Sequence, residues 1–142
     1  PDPRGPIPFG QADIKRRGRD VTILGVSIGV IHALAAAEEL AREGIEAEVV
    51  DPRTLVPLDE ATILDSVART GRLVVVDEAP LRASAASELA ATVAENGFRH
   101  LRAPVLRVAR ADVPVPFSPP LEAAVTPGPA DVARAVRKVL AG

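Results

Sequence analysis

Cysteine, methionine, tryptophan and tyrosine are all absent from this chain, and its aromatic residues are three phenylalanines. Without cysteine there is no disulfide framework, no thiolate metal site and no thiol nucleophile. The longest stretch free of charge, Val21 to Ala37, covers 17 residues and is interrupted by Gly25, Ser27, Gly29 and His32. It falls short of the roughly 20 apolar residues that a bilayer span needs. Neither sign of charge dominates: 17 Lys and Arg stand against 19 Asp and Glu, for a net charge of −2. That balance leaves no basic footprint for nucleic acid and no polyacidic tail. The opening Pro-Asp-Pro-Arg-Gly-Pro lacks the charged and apolar regions of a secretory signal, so a cytoplasmic location is expected. No membrane or nucleic-acid partner is expected either.

What is present describes an ordinary globular domain. The 142 residues are 47% hydrophobic and 25% charged, which excludes disorder and fibrous repeats. Residues 1–11 hold four prolines and two glycines and read as a linker, leaving 12–142 as the domain. Beginning without methionine inside this proline-rich stretch, the chain reads as part of something longer. Ala12–Arg19 is short and basic, and its Lys15-Arg16-Arg17-Gly18-Arg19 run reads as a solvated edge. Val21–Val26 is almost continuously apolar, as a strand covered on both faces should be. Val30–Glu43 changes to helical spacing and stops at Gly44. Ala47–Val50 is a second strand, ended by Asp51-Pro52. Asp59 is placed to cap a helix that closes at Gly71. Arg72–Asp77 is the clearest strand, Ser84–Glu95 a helix, and Val105–Arg110 another strand. Val113–Pro129 contains six prolines and reads as a long irregular crossing. Pro129 and Asp131 then fit the first turn of a last helix. The alternation predicts a three-layer α/β/α domain with a mainly parallel sheet of about five strands.

Few residues offer chemistry of their own. Gly25-Val26-Ser27-Ile28-Gly29 follows a strand, yet it fits neither G-x-G-x-x-G nor G-x-x-x-x-G-K-[ST], so the glycines read as easing a tight turn. Asp51, Asp77, Glu78 and Asp112 stand at strand carboxyl ends, where ligands of open α/β sheets gather. A phosphoacceptor aspartate would need a lysine beside it, and Lys15 and Lys138 lie elsewhere. Asp51 reads instead as the cap of the Pro52-Arg53-Thr54 turn. His32, in a first helical turn, and His100, near Arg99 and Arg102, have no second histidine at metal-ligand spacing. No serine sits in a nucleophile elbow. No catalytic, cofactor-binding or metal-binding residue is therefore assigned.

Longer segments carry a resemblance. Gly10-Gln-Ala-Asp-Ile-Lys-Arg-Arg-Gly-Arg-Asp-Val-Thr-Ile, Ala36-Ala-Glu-Glu-Leu, and Val49-Val-Asp-Pro-Arg-Thr-Leu-Val-Pro-Leu-Asp59 occur in order. Thr70-Gly-Arg-Leu-Val-Val-Val-Asp-Glu-Ala79, Ala103-Pro-Val-Leu-Arg-Val108 and Pro114-Val-Pro-Phe-Ser-Pro-Pro-Leu-Glu122 follow them. Together they resemble the C-terminal, transketolase-like domain of beta subunits of thiamine-diphosphate-dependent 2-oxoacid dehydrogenases. Pyruvate and acetoin dehydrogenases are the most similar.

The resemblance implies a domain that serves assembly inside an oxidoreductase and is inactive when isolated. Thiamine diphosphate and magnesium would belong to the full enzyme, with none bound by this domain. The implied partners are an alpha subunit, a second beta subunit and the dihydrolipoyl acyltransferase component. Arg99, Arg102, Phe117 and Glu122 are the candidate partner-binding residues. Relatives often carry an acid directly before the Ala-Pro at the start of the fourth strand; here that position is Arg102. A stand-alone interaction module, or the equivalent domain of a transketolase or deoxyxylulose-phosphate synthase, are the alternatives.

Overall fold

A computed structural model describes residues 5, 6 and 8–142. The sheet begins with β1 (Asp13–Arg16) and β2 (Val21–Gly25), followed by α1 (Gly29–Ala41), β3 (Ala47–Asp51) and α2 (Glu60–Thr70). Next come β4 (Leu73–Pro80), α3 (Ala85–Gly97), a 3-10 turn (Phe98–His100) and β5 (Leu106–Arg110). Two helices close the order, α4 (Pro119–Val125) and α5 (Pro129–Ala141). The strands lie in the order β1-β3-β2-β4-β5, with β1 antiparallel to β3 and the other pairs parallel. The expected three layers and five-stranded, mainly parallel sheet are present.

The near-continuous apolarity of β2 divides between two cores once it is pleated. Val21 and Ile23 face α1 and α5, with Val49, Val74 and Val76 beside them and Val132, Val136 and Val139 above. Leu24 faces α2 and α3, with Val50, Leu73 and Val75 and with Ile63, Leu89 and Val93. The second face also holds polar groups. Thr22 shares hydrogen bonds with Ser66 (2.7 Å) and Thr70 (2.8 Å), and Ser66 donates to Glu48 at 2.6 Å. Glu48, 1% exposed, also takes a hydrogen bond from Arg69, so a buried charge is paired from α2.

Asp59 caps α2 as expected. Its carboxylate accepts from the Thr62 N–H at 3.1 Å and the Thr62 hydroxyl at 2.7 Å. At the start of α5 the Asp131 carboxylate accepts from the Gly128 N–H at 2.9 Å. Arg137 of α5 reaches Glu39 of α1 and Glu43 in the turn just after it, tying the two helices of one face together.

Two elements differ from the sequence expectation. The basic segment 12–19 contains an edge strand, β1, pairing Asp13 with Asp51 and Ile14 with Val50. Its support is lateral: Arg16 donates to the Ala47 carbonyl at 2.5 Å and to Glu46 at 2.6 Å. The crossing is not wholly irregular, because Pro119 and Pro120 occupy the first turn of α4, where a missing N–H costs no hydrogen bond. Residues 1–4 and 7 of the proposed linker lie outside the described residues. Within it, the Gly10 N–H donates to Thr54 Oγ1 at 3.2 Å.

Candidate functional site

The carboxyl end of the sheet is where a site would form, and its acids are already engaged. Asp51 accepts from the Arg53 N–H at 2.9 Å, which is the turn cap that the sequence suggested. Asp77, 3% exposed, accepts from Ala79 N–H at 3.0 Å and Ala86 N–H at 3.1 Å, holding the entry to α3. Asp112 accepts from the Arg82 N–H at 3.1 Å and pairs with its guanidinium at 3.3 Å. Glu78 takes a hydrogen bond from the Ser27 hydroxyl at 2.8 Å. No group of three or more His, Asp or Glu among the described residues is placed to hold a metal ion.

The glycine turn has a packing reason. A Cβ added at Gly29 would lie 2.6 Å from the Val76 carbonyl oxygen, and one at Gly25 would lie 2.8 Å from Val30 N. α1 therefore starts directly against the backbone of β4. Backbone strain gathers at the same end. Ser27 (φ 54°), Arg53 (φ 63°) and Ala83 (φ 52°) each occupy the left-handed region, one in each loop after β2, β3 and β4.

Exposed apolar surface gathers there too. Among the described residues eleven large apolar side chains are exposed, and ten belong to segments at the carboxyl end of the sheet. Ile28 and Ile31 follow β2, Leu55 and Val56 follow β3, and Leu81 follows β4. The crossing after β5 adds Val113, Val115, Phe117 and Leu121. Phe9 joins them because Gly10, its neighbour, is bonded to Thr54 in the loop after β3. Phe117 has no cover at all, at 105% relative exposure. A run of exposed apolar groups on this scale marks an interaction surface.

The structure does not bring the four candidate partner-binding residues together. Phe117 and Glu122 lie on the crossing, at the carboxyl end. Arg99 lies in the 3-10 turn, and Arg102 donates its N–H to the Gly71 carbonyl at 2.8 Å, beside the amino end of β4. β5 stands between the two pairs. The Arg102 stem lies over Gly71, where an added Cβ would sit 2.8 Å from Arg102 Cδ. Near it lies Phe98, among the described residues the one large exposed apolar side chain away from the carboxyl end. The sequence analysis missed Ile28, Ile31, Leu55, Val56 and Leu81. Their only signal was an apolar side chain in a turn or, for Ile31, in a first helical turn, close to glycine or proline.

Comparison with known proteins covers most of the chain. Residues 10–132 match the family described as "Transketolase, C-terminal domain". The chain is 52% identical to the beta subunit of acetoin:2,6-dichlorophenolindophenol oxidoreductase from Cupriavidus necator, over 96% of this chain and 40% of that protein. It is 47% identical to the mitochondrial pyruvate dehydrogenase E1 component subunit beta of Ascaris suum, over 94% of this chain and 37% of that protein. A solved structure of a split gene transketolase, an inactive beta4 tetramer, superposes with a TM-score of 0.82. It is 32% identical and is covered over 43% of its length by 95% of this chain. The chain thus spans less than half the length of each.

Proposed function

Because this chain belongs to the transketolase C-terminal domain family, we propose that it is the assembly domain of a dehydrogenase beta subunit. The enzyme would be thiamine-diphosphate-dependent and act on acetoin or pyruvate, with cofactor and magnesium held by other domains. The partners in this reading are an alpha subunit, a second beta subunit and the acyltransferase component. Its relatives support the enzyme class: the similar proteins at 52% and 47% identity are beta subunits of acetoin- and pyruvate-oxidising enzymes.

The observation that carries the assembly role is the apolar surface at the carboxyl end, with Phe117 at its most exposed point. Leaving such side chains in water forfeits about 25 cal/mol per Å² of apolar area, which a subunit contact would recover. The acids that a self-contained site would use are spent on turn caps and on arginine.

Reconstitution tests the proposal. The full-length subunit containing this domain, purified with its alpha subunit, thiamine diphosphate and magnesium, should reduce 2,6-dichlorophenolindophenol when given acetoin or pyruvate. The same subunit without residues 10–142 should fail to co-purify with the alpha subunit. An assembled and active enzyme lacking those residues would overturn the assembly role. A full-length enzyme that oxidises neither substrate would overturn the activity.

A further inference from the structure

Phe98, 74% exposed, stands beside a groove that it does not fill. The groove, of about 560 Å³, lies between α3 and the approach to β5, and every residue that lines it is apolar. Ala90, Ala91 and Ala94 form its helical wall, with Leu101 and Val105 opposite and Phe98 at one end. Ala90, Ala94 and Phe98 follow at intervals of four, which places them in one row on the helix surface. Phe98 keeps helical backbone angles (φ −49°, ψ −42°), so the row runs on past the end of α3. Two small side chains thus precede one large one.

The charges of α3 are ordered as well. Glu88 lies in its first turn and Arg99 just past its last, both exposed. Neither forms an ion pair among the described residues; Arg99 donates Nε to the neighbouring His100 at 3.1 Å. The helix dipole favours an acid and a base in these places, and the same order makes the helix complementary to an antiparallel copy of itself. A partner of one charge sign would leave either Glu88 or Arg99 unmatched. A second copy matches both.

We propose that the α3 face, with Phe98 as its anchor, is a self-complementary contact between two copies of this chain. About a twofold axis at Ala94, a residue before it in one copy stands opposite the residue equally far past it in the other. Each Phe98 then meets Ala90 and enters the other copy's groove, and each Arg99 reaches Glu88. Ala94 meets its own copy, where small side chains let the helices close to ~8 Å. Glu95 comes nearer its own copy too, and Arg99, four positions on, screens it. The contact gives the second beta subunit of the proposed function a surface apart from Phe117, and it rests on that reading for the copy's role in the enzyme.

The chain has no cysteine, so Ala94→Cys supplies a single thiol. Two such thiols, treated with oxidised glutathione, join only when their Cα atoms come within about 4.4–6.8 Å. The Ala94→Cys chain should crosslink into a dimer, and the Ala35→Cys chain, altered at an exposed position of α1, should not. Adding Phe98→Ala should remove the crosslink, whereas adding Phe117→Ala should leave it. Glu88→Arg and Arg99→Glu should each weaken self-association about tenfold, and the double variant should recover most of the loss. An uncrosslinked Ala94→Cys chain, equal crosslinking of the Ala35→Cys chain, or a double variant no better than its singles would overturn the proposal. So would loss of the crosslink on adding the alpha subunit, which would give the face to that partner. A chain that crosslinks yet fails to co-purify with the alpha subunit would keep this contact and remove the assembly role proposed above.

Discussion

The backbone N–H of Ala12 donates to the carboxylate of Asp59 at 2.9 Å, across 47 positions of sequence. The same carboxylate caps α2 through Thr62. One side chain therefore fixes both the start of a helix and the approach to the edge strand β1. Burial pushes the Asp59 carboxyl up, but the hydrogen bonds from Ala12 and Thr62 outweigh it and hold the group below its usual range.

Asp59→Ala is expected to cost about 0.5–2 kcal/mol, as the loss of an N-cap does. Because the folded group titrates below its unfolded value, its contribution is complete above the ordinary carboxylate range. It disappears as pH falls through the lowered folded value. Denaturant titrations should show a clear gap between wild type and variant at neutral pH. That gap should close in strong acid, and a gap independent of pH would contradict this account.

Arg69→Ala removes a half-exposed guanidinium that reaches the buried Glu48. Deleting one partner of a fully buried pair costs ~3–5 kcal/mol, and the exposure of Arg69 lowers that figure here. Ser66 still donates to Glu48 and Arg17 lies 3.8 Å away, so the loss should fall at or below the lower end of that range. Thermal melts should show Arg69→Ala well below Arg134→Ala, an exposed change at a surface pair. Equal melting temperatures would mean that Glu48 is satisfied without α2.

Arg137 spans Glu39 and Glu43, and these hydrogen bonds lower the Glu43 carboxyl and raise the guanidinium from their ordinary values. All three groups are exposed, so salt should screen them. Arg137→Glu should lower the melting temperature in dilute buffer, with much of the difference lost in molar salt. A difference unchanged by salt would point to packing of the Arg137 stem instead.

Phe117→Ala should weaken self-association while leaving the melting temperature of the monomer nearly unchanged, since the ring touches little of its own domain. Sedimentation across a concentration series decides this. A wild-type chain that stays monomeric at high concentration, or a variant that associates equally well, would remove Phe117 from the contact. An aromatic anchor at such a contact is typically worth 2 kcal/mol or more, roughly thirtyfold in affinity.

The sheet was legible where its own side chains stabilise it. β2, β3 and β4 are runs of branched apolar residues bounded by glycine and proline, and they emerge within a few positions of the expected limits. β1 was not legible, because Asp-Ile-Lys-Arg has one apolar residue and is held by groups 30 positions away. α4 was hidden for the opposite reason: its prolines suggest a loop unless their place in a first turn is known. At the candidate surface Phe117 stood out among prolines. Ile31 and Leu81 did not, since an apolar side chain beside a buried strand reads equally well as core.

α5 follows every strand in sequence, yet its Val132, Val136 and Val139 complete the core around Val21 and Ile23 of β2. Val132 is more than a hundred residues beyond Val21. At ribosomal speeds of about 5–20 residues per second, the first-made face of the sheet waits roughly 5–20 s for its cover. During that interval α1 alone covers these valines and isoleucines, and a stop codon before α5 would leave them half covered for good. Chaperone demand and sensitivity to truncation before α5 should therefore be set by this one late helix.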